Sequence, residues 1–267
     1  MTVAKLRTER LPPFRYAFYF DGVDDYMIVL HNDTLNLTTL TLAFWSFEVV
    51  NVGWTVVGKQ ATTTYREAYG ITFRWDSENY KITDQNDSLV LIFYRIQLLK
   101  PTFLAMTFDG STLKGYANDM FVGSKASNPP QQNTRDFYIG RWWSSAQSLR
   151  GYIHAVYLYS RVLSDSEIVK LYNGKVPTDG IIMLLEAHPN NIADIDGDGI
   201  PEWIDKSGYN NHAKIYGATL HDFGPIEPTQ PIEPTQPTIT PRTIAFAAFA
   251  GLILIRLIRY VRTALLR

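Results

Sequence analysis

Large apolar residues recur at every second position in short runs between about Phe14 and Tyr159, and the runs are broken by Gly, Asn, Asp and Pro. That is the period of half-buried β-strands. In "FDGVDDYMIV", Phe20 to Val29, Gly22 and the aspartates make a bend, after which Tyr26, Ile28 and Leu30 alternate with Met27 and Val29. "LTLAFWSFEVV" repeats the pattern from Leu40, and "WTVVGKQ", "YGITFRW" and "SLVLIFYRI" follow after turns. "TFLAMTFDGSTLKGYANDMFVGS" predicts two hairpins, at Asp109-Gly110 and Asn118-Asp119, before "DFYIGRWW" and "RGYIHAVYLYSR" close the series. A helical period stands out once, in "LSDSEIVKLYNG": Ser164 is a natural N-cap with Glu167 three residues on, Leu163 can staple to Ile168, and Gly174 ends the run. Many short strands with regular turns and one short helix predict an all-β fold, a two-sheet antiparallel sandwich.

The pattern breaks at Pro225. "PIEPTQPIEPTQPTITP" repeats a hexapeptide twice, and its prolines exclude helix and sheet over residues 225–242. The segment is a spacer. It is either an extended polyproline stalk, about 50 Å long at roughly 3 Å per residue, or a flexible linker. Residues 243–267 then predict a C-terminal hydrophobic helix. Its apolar run from Ile244 to Ile255 is short for a bilayer, and it lengthens if Arg256 and Arg259 snorkel beside Tyr260. This helix either spans a membrane, with the basic tail inside and the preceding domain outside, or lies amphipathically in the interface. Residues 1–13 form a charged leader without the apolar run of a secretory signal.

Charge sharpens this division. The chain carries −1, and five arginines with no acid follow from Arg242 on, so the remainder carries −6 (−1 less +5). An acidic body with a basic tail argues against nucleic-acid binding and for a lipid partner. The absence of cysteine excludes disulfides and thiol chemistry.

"FDGVDDYMIV", "LTLAFWSF", "LAMTFDGSTLKGYAND", "FYIGRWW" and "GYIHAVYLYSRVLSDSEIVKLYNG" follow one another in an order that resembles laminin-G-like domains of the concanavalin A-like lectin/glucanase superfamily. The resemblance covers about residues 14–174 and implies a jelly-roll sandwich. It departs at "YANDM", where the family has Asn-Gly. "DKSGYNNHAKIYGAT", residues 205–219, resembles the segment that ordinarily precedes the "FDG" strand, and "GIIMLLEAHP" resembles the family's opening strand. The sandwich then extends over residues 14–224, with 180–224 as circularly permuted strands; the other reading is a second, partial domain, too small to bury its own core.

"DIDGDGIPEWID" carries the sharpest chemistry. Asp194, Asp196 and Asp198 stand at alternate positions, Gly199 allows a sharp turn, and Asp205 comes twelfth. With the Ile200 carbonyl, that spacing can surround a hard cation with oxygens, which makes Ca2+ the expected cofactor; an acidic solvated turn is the alternative. The loop is similar to those of thrombospondin type-3 and dockerin repeats, except that Asp stands where an EF-hand has Glu. Asp21, Asp24 and Asp25 read as turn residues, with a second calcium site at the sandwich edge as the alternative. For a sugar ring, Trp142 and Trp143 are the leading aromatic platforms, with Tyr65 and Trp75 behind them. Sequons at Asn32, Asn36 and Asn86 fit a glycosylated exterior.

The carboxylate pair of the glucanases, Glu-x-Asp-x-x-Glu, has no counterpart, and the five histidines form no metal or nucleophile motif. The expectation is therefore a protein that is not an enzyme. It is a membrane-anchored, surface-displayed lectin-like adhesin for a glycan or glycoprotein, on a cell or as a virion spike. The alternative is a structural envelope protein whose sandwich assembles with copies of itself or with a coat protein.

Overall fold

In a computed structural model, residues 13–49, 54–62, 67–74, 79–83, 89–95, 98–141 and 148–226 are described, and they form an all-β sandwich with one α-helix. The strands are β1 (Tyr16–Asp21), β2 (Tyr26–Val29), β3 (Leu40–Glu48), β4 (Trp54–Gln60), β5 (Glu67–Arg74), β6 (Asn79–Thr83), β7 (Leu89–Arg95), β8 (Thr102–Phe108), β9 (Thr112–Ala117), β10 (Met120–Ala126), β11 (Phe137–Ile139) and β12 (Arg150–Tyr159). Helix α1 (Asp165–Tyr172) is followed by β13 (Ile181–Glu186), β14 (Ile192–Ala193), β15 (Glu202–Trp203), β16 (Ala213–Tyr216) and β17 (Thr219–Asp222). The first sheet runs β10-β9-β8-β3-β12-β1-β17, with β13 also on β12; the second runs β14-β15-β16-β2-β11-β4-β5-β6-β7. The leader, the proline repeat and the hydrophobic run from Ile244 lie outside the described residues, with Ile255, Arg256, Arg259 and Tyr260. Among the described residues no helix is long and apolar enough to cross a membrane.

The alternation read from the sequence has a direct physical outcome. Phe18, Phe20, Met27, Val29, Leu42, Phe44, Leu104, Phe137, Ile139 and Val156 point between the sheets into one closed apolar core. The outer face of the first sheet carries a second cluster, in which Ala43, Trp45, Phe103, Tyr157 and Tyr159 pack under α1 through Ile168 and Leu171. Because both faces of β3 and β8 are covered, every residue in them is buried. At the hairpin between β9 and β10, Asn118 takes φ 56°, which asparagine tolerates better than most residues, and its Oδ1 accepts from the Phe103 N–H.

Residues 181–222 do not form a separate body. They supply β13 and β17 to the first sheet and β14–β16 to the second, and Met183, Leu185, Trp203, Ala213 and Ile215 fill the shared core. Two local devices hold them. The Phe223 N–H donates to the Arg15 carbonyl at 2.8 Å, and the Arg15 guanidinium grips Asp222, so the two ends of the described body meet at one sheet edge. The second device is Asp205. Its buried carboxylate accepts from the backbone N–H of Leu184, Ser207 and Asn211 and from the Ser207 hydroxyl, all within 2.9 Å.

Helix α1 has the capping box expected for it: Ser164 accepts from the Glu167 N–H, and the Glu167 carboxylate accepts from the Ser164 N–H. Arg161 adds a two-pronged bond to the same carboxylate. That guanidinium, with the Ser164 N–H, lowers the Glu167 carboxyl to about 2 despite some desolvation. A lowered folded-state pKa contributes stability above the ordinary carboxyl value of 4.5 that is lost as pH falls towards about 2. We predict that Glu167→Gln flattens the acid limb of the urea-stability profile in that window and costs about 1 kcal/mol at neutral pH, because the pair is partly solvated. Asp205→Ala is predicted to cost more, about 3 kcal/mol, since it leaves buried N–H groups unpaired. A urea midpoint for Asp205→Ala equal to wild type would show that this carboxylate does not pin the C-terminal strands.

Candidate functional site

The outer face of the second sheet is built by strand register. Met27 and Val29 of β2 point into the core, which turns Tyr26 and Ile28 outward. β16 pairs with β2 so that Tyr216 lies opposite Tyr26 and Lys214 opposite Ile28. β11 pairs on the other side, with Tyr138 opposite Ile28. Tyr26 and Tyr216 stack at 4.7 Å between ring centres with only 13° between planes. The Arg141 guanidinium lies 3.5 Å above the Tyr26 ring and 5.9 Å from that of Tyr138, and its Nε is buried without a hydrogen-bond partner. Burial and the nearby Asp136 raise the Tyr138 hydroxyl pKa, so the tyrosine stays a neutral donor.

Beyond Tyr138 the face is floored by backbone. Gly58 lies opposite both Tyr138 and Gly70, and a Cβ there would collide with the Tyr69 carbonyl. The result is a row of half-buried aromatic rings with one cation, ending at two buried glycines. With Tyr216 stacked on one side and Arg141 on the other, the Tyr26 ring offers a guest its edge and its hydroxyl rather than a face.

The acidic loop stands at the other end of the same face. Asp194, Asp196 and Glu202 each place a carboxylate oxygen so that all lie within 4.8 Å of one another. Asp194 accepts from the Gly197 and Gly199 N–H groups, Asp196 from Asp198 N–H, and Asp198 from Ile200 N–H, so the side chains organise the loop that carries them. Glu202 is buried and accepts from the Ile195 N–H.

The Lys214 ammonium closes this cluster, bonded to Asp196 at 2.7 Å and to Asp198, with a Glu202 oxygen at 3.6 Å. It holds the Asp196 carboxyl below the usual range, and Asp196 and Asp198 in turn raise the lysine.

The structure brings Asp194 and Asp196 together with Glu202, while Asp198 meets Asp196 through the shared Lys214 ammonium. Asp205, placed by its spacing in the cation site, is instead engaged with Leu184, Ser207 and Asn211 and does not join the converging oxygens. The physical reason is that β15 intervenes: its two residues turn Glu202 outward beside Lys214 while the chain beyond carries Asp205 inward. Trp142, Trp143, Tyr65 and Trp75 lie outside the described residues. The candidate residues that motif reading passed over are Tyr26, Tyr138, Arg141, Glu202, Lys214 and Tyr216. Apart from Arg141, their only sequence signal was alternation, each standing one position from a core residue.

The aspartates of the other turn behave as turn residues. The Asp25 carboxylate accepts from the Asp21 N–H, and Asp21 from Val23 N–H. Their oxygens lie near one another together with Asp24, and burial, then the two neighbouring carboxylates, raises the Asp25 pKa. Gly217 is obligatory there, since its φ is 77° and a Cβ would strike the Asp25 carboxylate.

Comparison with solved structures agrees with this architecture. A Bacteroides ovatus protein described as a candidate carbohydrate-binding protein superposes with a TM-score of 0.60 at 12% identity, covering 78% of this chain. The chain spans 60% of that protein's length. A SAP-like pentraxin from Limulus polyphemus superposes at 0.48 with 12% identity, over 62% of this chain and 83% of its own. Trypanosoma rangeli sialidase does so at 0.48 with 16% identity, over 58% of this chain and 27% of its own. These last two likenesses are too loose to carry an argument about function. No curated protein matches the sequence. A laminin-G-type family model described as the concanavalin A-like lectin/glucanases superfamily matches residues 21–169, more than half of the chain. The chain belongs to that superfamily.

Proposed function

We propose that this protein is a lectin-like binding module that holds a glycan or glycoprotein on the outer face of its second sheet. The observation that carries the reading is the Tyr216–Tyr26–Arg141–Tyr138 row: half-buried rings and a guanidinium side by side on the outer face of one sheet. Such a row supplies aromatic edges, phenol hydroxyls and a guanidinium as contacts and hydrogen-bond donors for hydroxyls or carboxylates of a sugar. The superfamily and the resemblance to a carbohydrate-binding candidate support the same class. The reading is non-catalytic: the carboxylates of the face are tied to Lys214 and to loop N–H groups rather than poised as an acid and a nucleophile. The proline repeat and the basic hydrophobic run after it would display this head from a membrane, on a cell or a virion, and they support that part through sequence alone.

A glycan array probed with the full chain tests the site. Tyr26→Ala, which removes the ring against which both Tyr216 and Arg141 are placed, is predicted to weaken bound signals at least about tenfold with the circular dichroism spectrum unchanged. A folded wild-type sample that binds no glycan would sink the reading.

The acidic loop fits a hard cation in donor chemistry, since Asp194, Asp196 and Glu202 bring carboxylate oxygens within 4.8 Å of one another. Asp194, Asp196, Asp198, Glu202 and the Ile200 carbonyl would hold Ca2+, and the ion would offset more of the crowded negative charge than Lys214 does now. Ion and ammonium compete for the same oxygens. Lys214→Met is therefore predicted to tighten Ca2+ binding at least about tenfold by calorimetry and to make the melting temperature depend on the ion. Equal affinity in wild type and variant would show that no calcium enters this cluster.

We also infer that the chain is circularly permuted relative to its superfamily. Support comes from the meeting of Arg15 with Phe223 and from the way residues 181–222 complete both sheets beside β1 and β2. One observation favours the structural alternative: Met120, Phe121 and Val122 are exposed together on the edge strand β10. Concentration-dependent self-association with no glycan binding would move the assignment to assembly.

A further inference from the structure

On the opposite side of the molecule, the first sheet is not a continuous ladder. One edge of β12 is taken by β3 along its length, but the other is divided: residues 150–153 pair with β1 and residues 155–159 with β13. The register against β3 slips at His154, between the two halves. His154 holds the junction from both sides, its carbonyl accepting from the Ala187 N–H and its ring Nδ1 lying 2.7 Å from the Tyr16 carbonyl. A carbonyl only accepts, so Nδ1 carries the proton. Burial keeps the ring neutral by lowering its pKa to about 4, which leaves Nε2 as a lone-pair acceptor.

Over this junction, beside the end of α1, lies a cavity of about 360 Å³ walled by Phe14, Trp45, Tyr157 and Tyr172. That is the size range of small-ligand sites. His154 and Glu186 contribute its polar groups together with Asn173 and Gly174. Most of the donors there are already committed. The Tyr157 hydroxyl donates to Glu186 Oε1 at 3.1 Å, the Asn173 amide to the Val169 carbonyl, and the Gly174 N–H to the Leu171 carbonyl.

What remains for a guest is chiefly acceptor capacity: the second Glu186 oxygen, His154 Nε2 and the Asn173 amide oxygen, against the indole N–H of Trp45 and the Tyr172 hydroxyl, which can donate or accept. No lysine or arginine lines the cavity, and among the described residues Glu186 has no ionic partner. The cavity also sits at the C-terminal, negative end of α1.

We infer that this cavity is a binding site for a small organic ammonium, an amine with an apolar, preferably aromatic, body. A primary ammonium is donor-only and positively charged, which matches a recess offering acceptors and one uncompensated carboxylate; the aromatic walls take the body. A carboxylate or phosphate ligand would meet Glu186 head on. The site is independent of the sugar-binding face.

The test is a titration of the 15N-labelled full chain with phenethylammonium chloride, and separately with 2-phenylethanol, its neutral counterpart, followed by NMR. The Trp45 indole resonance, assigned with Trp45→Phe, is expected to shift saturably with phenethylammonium and to require at least about tenfold more 2-phenylethanol. Glu186→Gln keeps an acceptor for the Tyr157 hydroxyl and is expected to erase that preference while leaving the remaining spectrum in place. Equal affinity for the two probes, an unchanged preference in Glu186→Gln, or no saturable shift would overturn the assignment. So would binding that appears only once residues 1–12 are removed, since the chain's own basic leader would then be the guest.

Discussion

One edge of β12 serves two strands that are far apart in the sequence, and the sandwich depends on that division. Had β1 run the full length of the edge, β13 would have no place in the first sheet and residues 181–222 no reason to fold back. The divided edge instead draws both ends of the domain to one strand. A neutral histidine makes the junction workable, because it offers an N–H to the Tyr16 carbonyl and a backbone carbonyl to Ala187 without burying a charge. Asp205 then secures the far side, bonding the Leu184 N–H of β13 and the turn that leads into β16.

The two faces of the molecule handle polar groups differently, and burial is the reason. On the second sheet, Lys214 partly offsets three crowded carboxylates, so that removing the lysine leaves them to mutual repulsion. On the first, Glu186 shares only a phenolic proton with Tyr157, and the low polarity around it raises the Tyr157 pKa far above the ordinary phenol value. Lys59 shows a third solution at the edge of the core. Its ammonium is wholly buried, bonded to the Arg135 carbonyl and beside His31 Nδ1, and desolvation lowers its pKa to about 8 although Asp136 and Asp33 pull the other way.

Much of the fold was legible because it rests on local rules. The alternation through β3, β8 and β12, the turn at Asp109-Gly110, and the capping box of Ser164 and Glu167 each operate within a few residues. The acidic loop was legible in part. Asp194, Asp196 and Asp198 keep their regular spacing, but the exchange of Asp205 for Glu202 depends on β14 and β15, two residues each, too short to show any period. Lys214 could not be found by motif at all, since it enters the loop through strand pairing across 16 and 18 residues. The tyrosine row was hidden for the same reason: Tyr26 and Tyr216 are 190 positions apart and meet only because β16 pairs with β2.

The meeting of the two ends at Arg15 and Asp222 has a mechanical consequence. β17 runs antiparallel to β1 at the outer edge of its sheet, with its last residue level with Tyr16. A tension carried into the domain from residue 223 would load the Phe223–Arg15 bond first, then the Asp222 pair, then each rung in turn. This is peeling, one bond at a time, rather than shear of a whole strand. The edge strand would act as a soft element that yields at low force, while the strands bearing the tyrosine row, in the other sheet, stay unloaded.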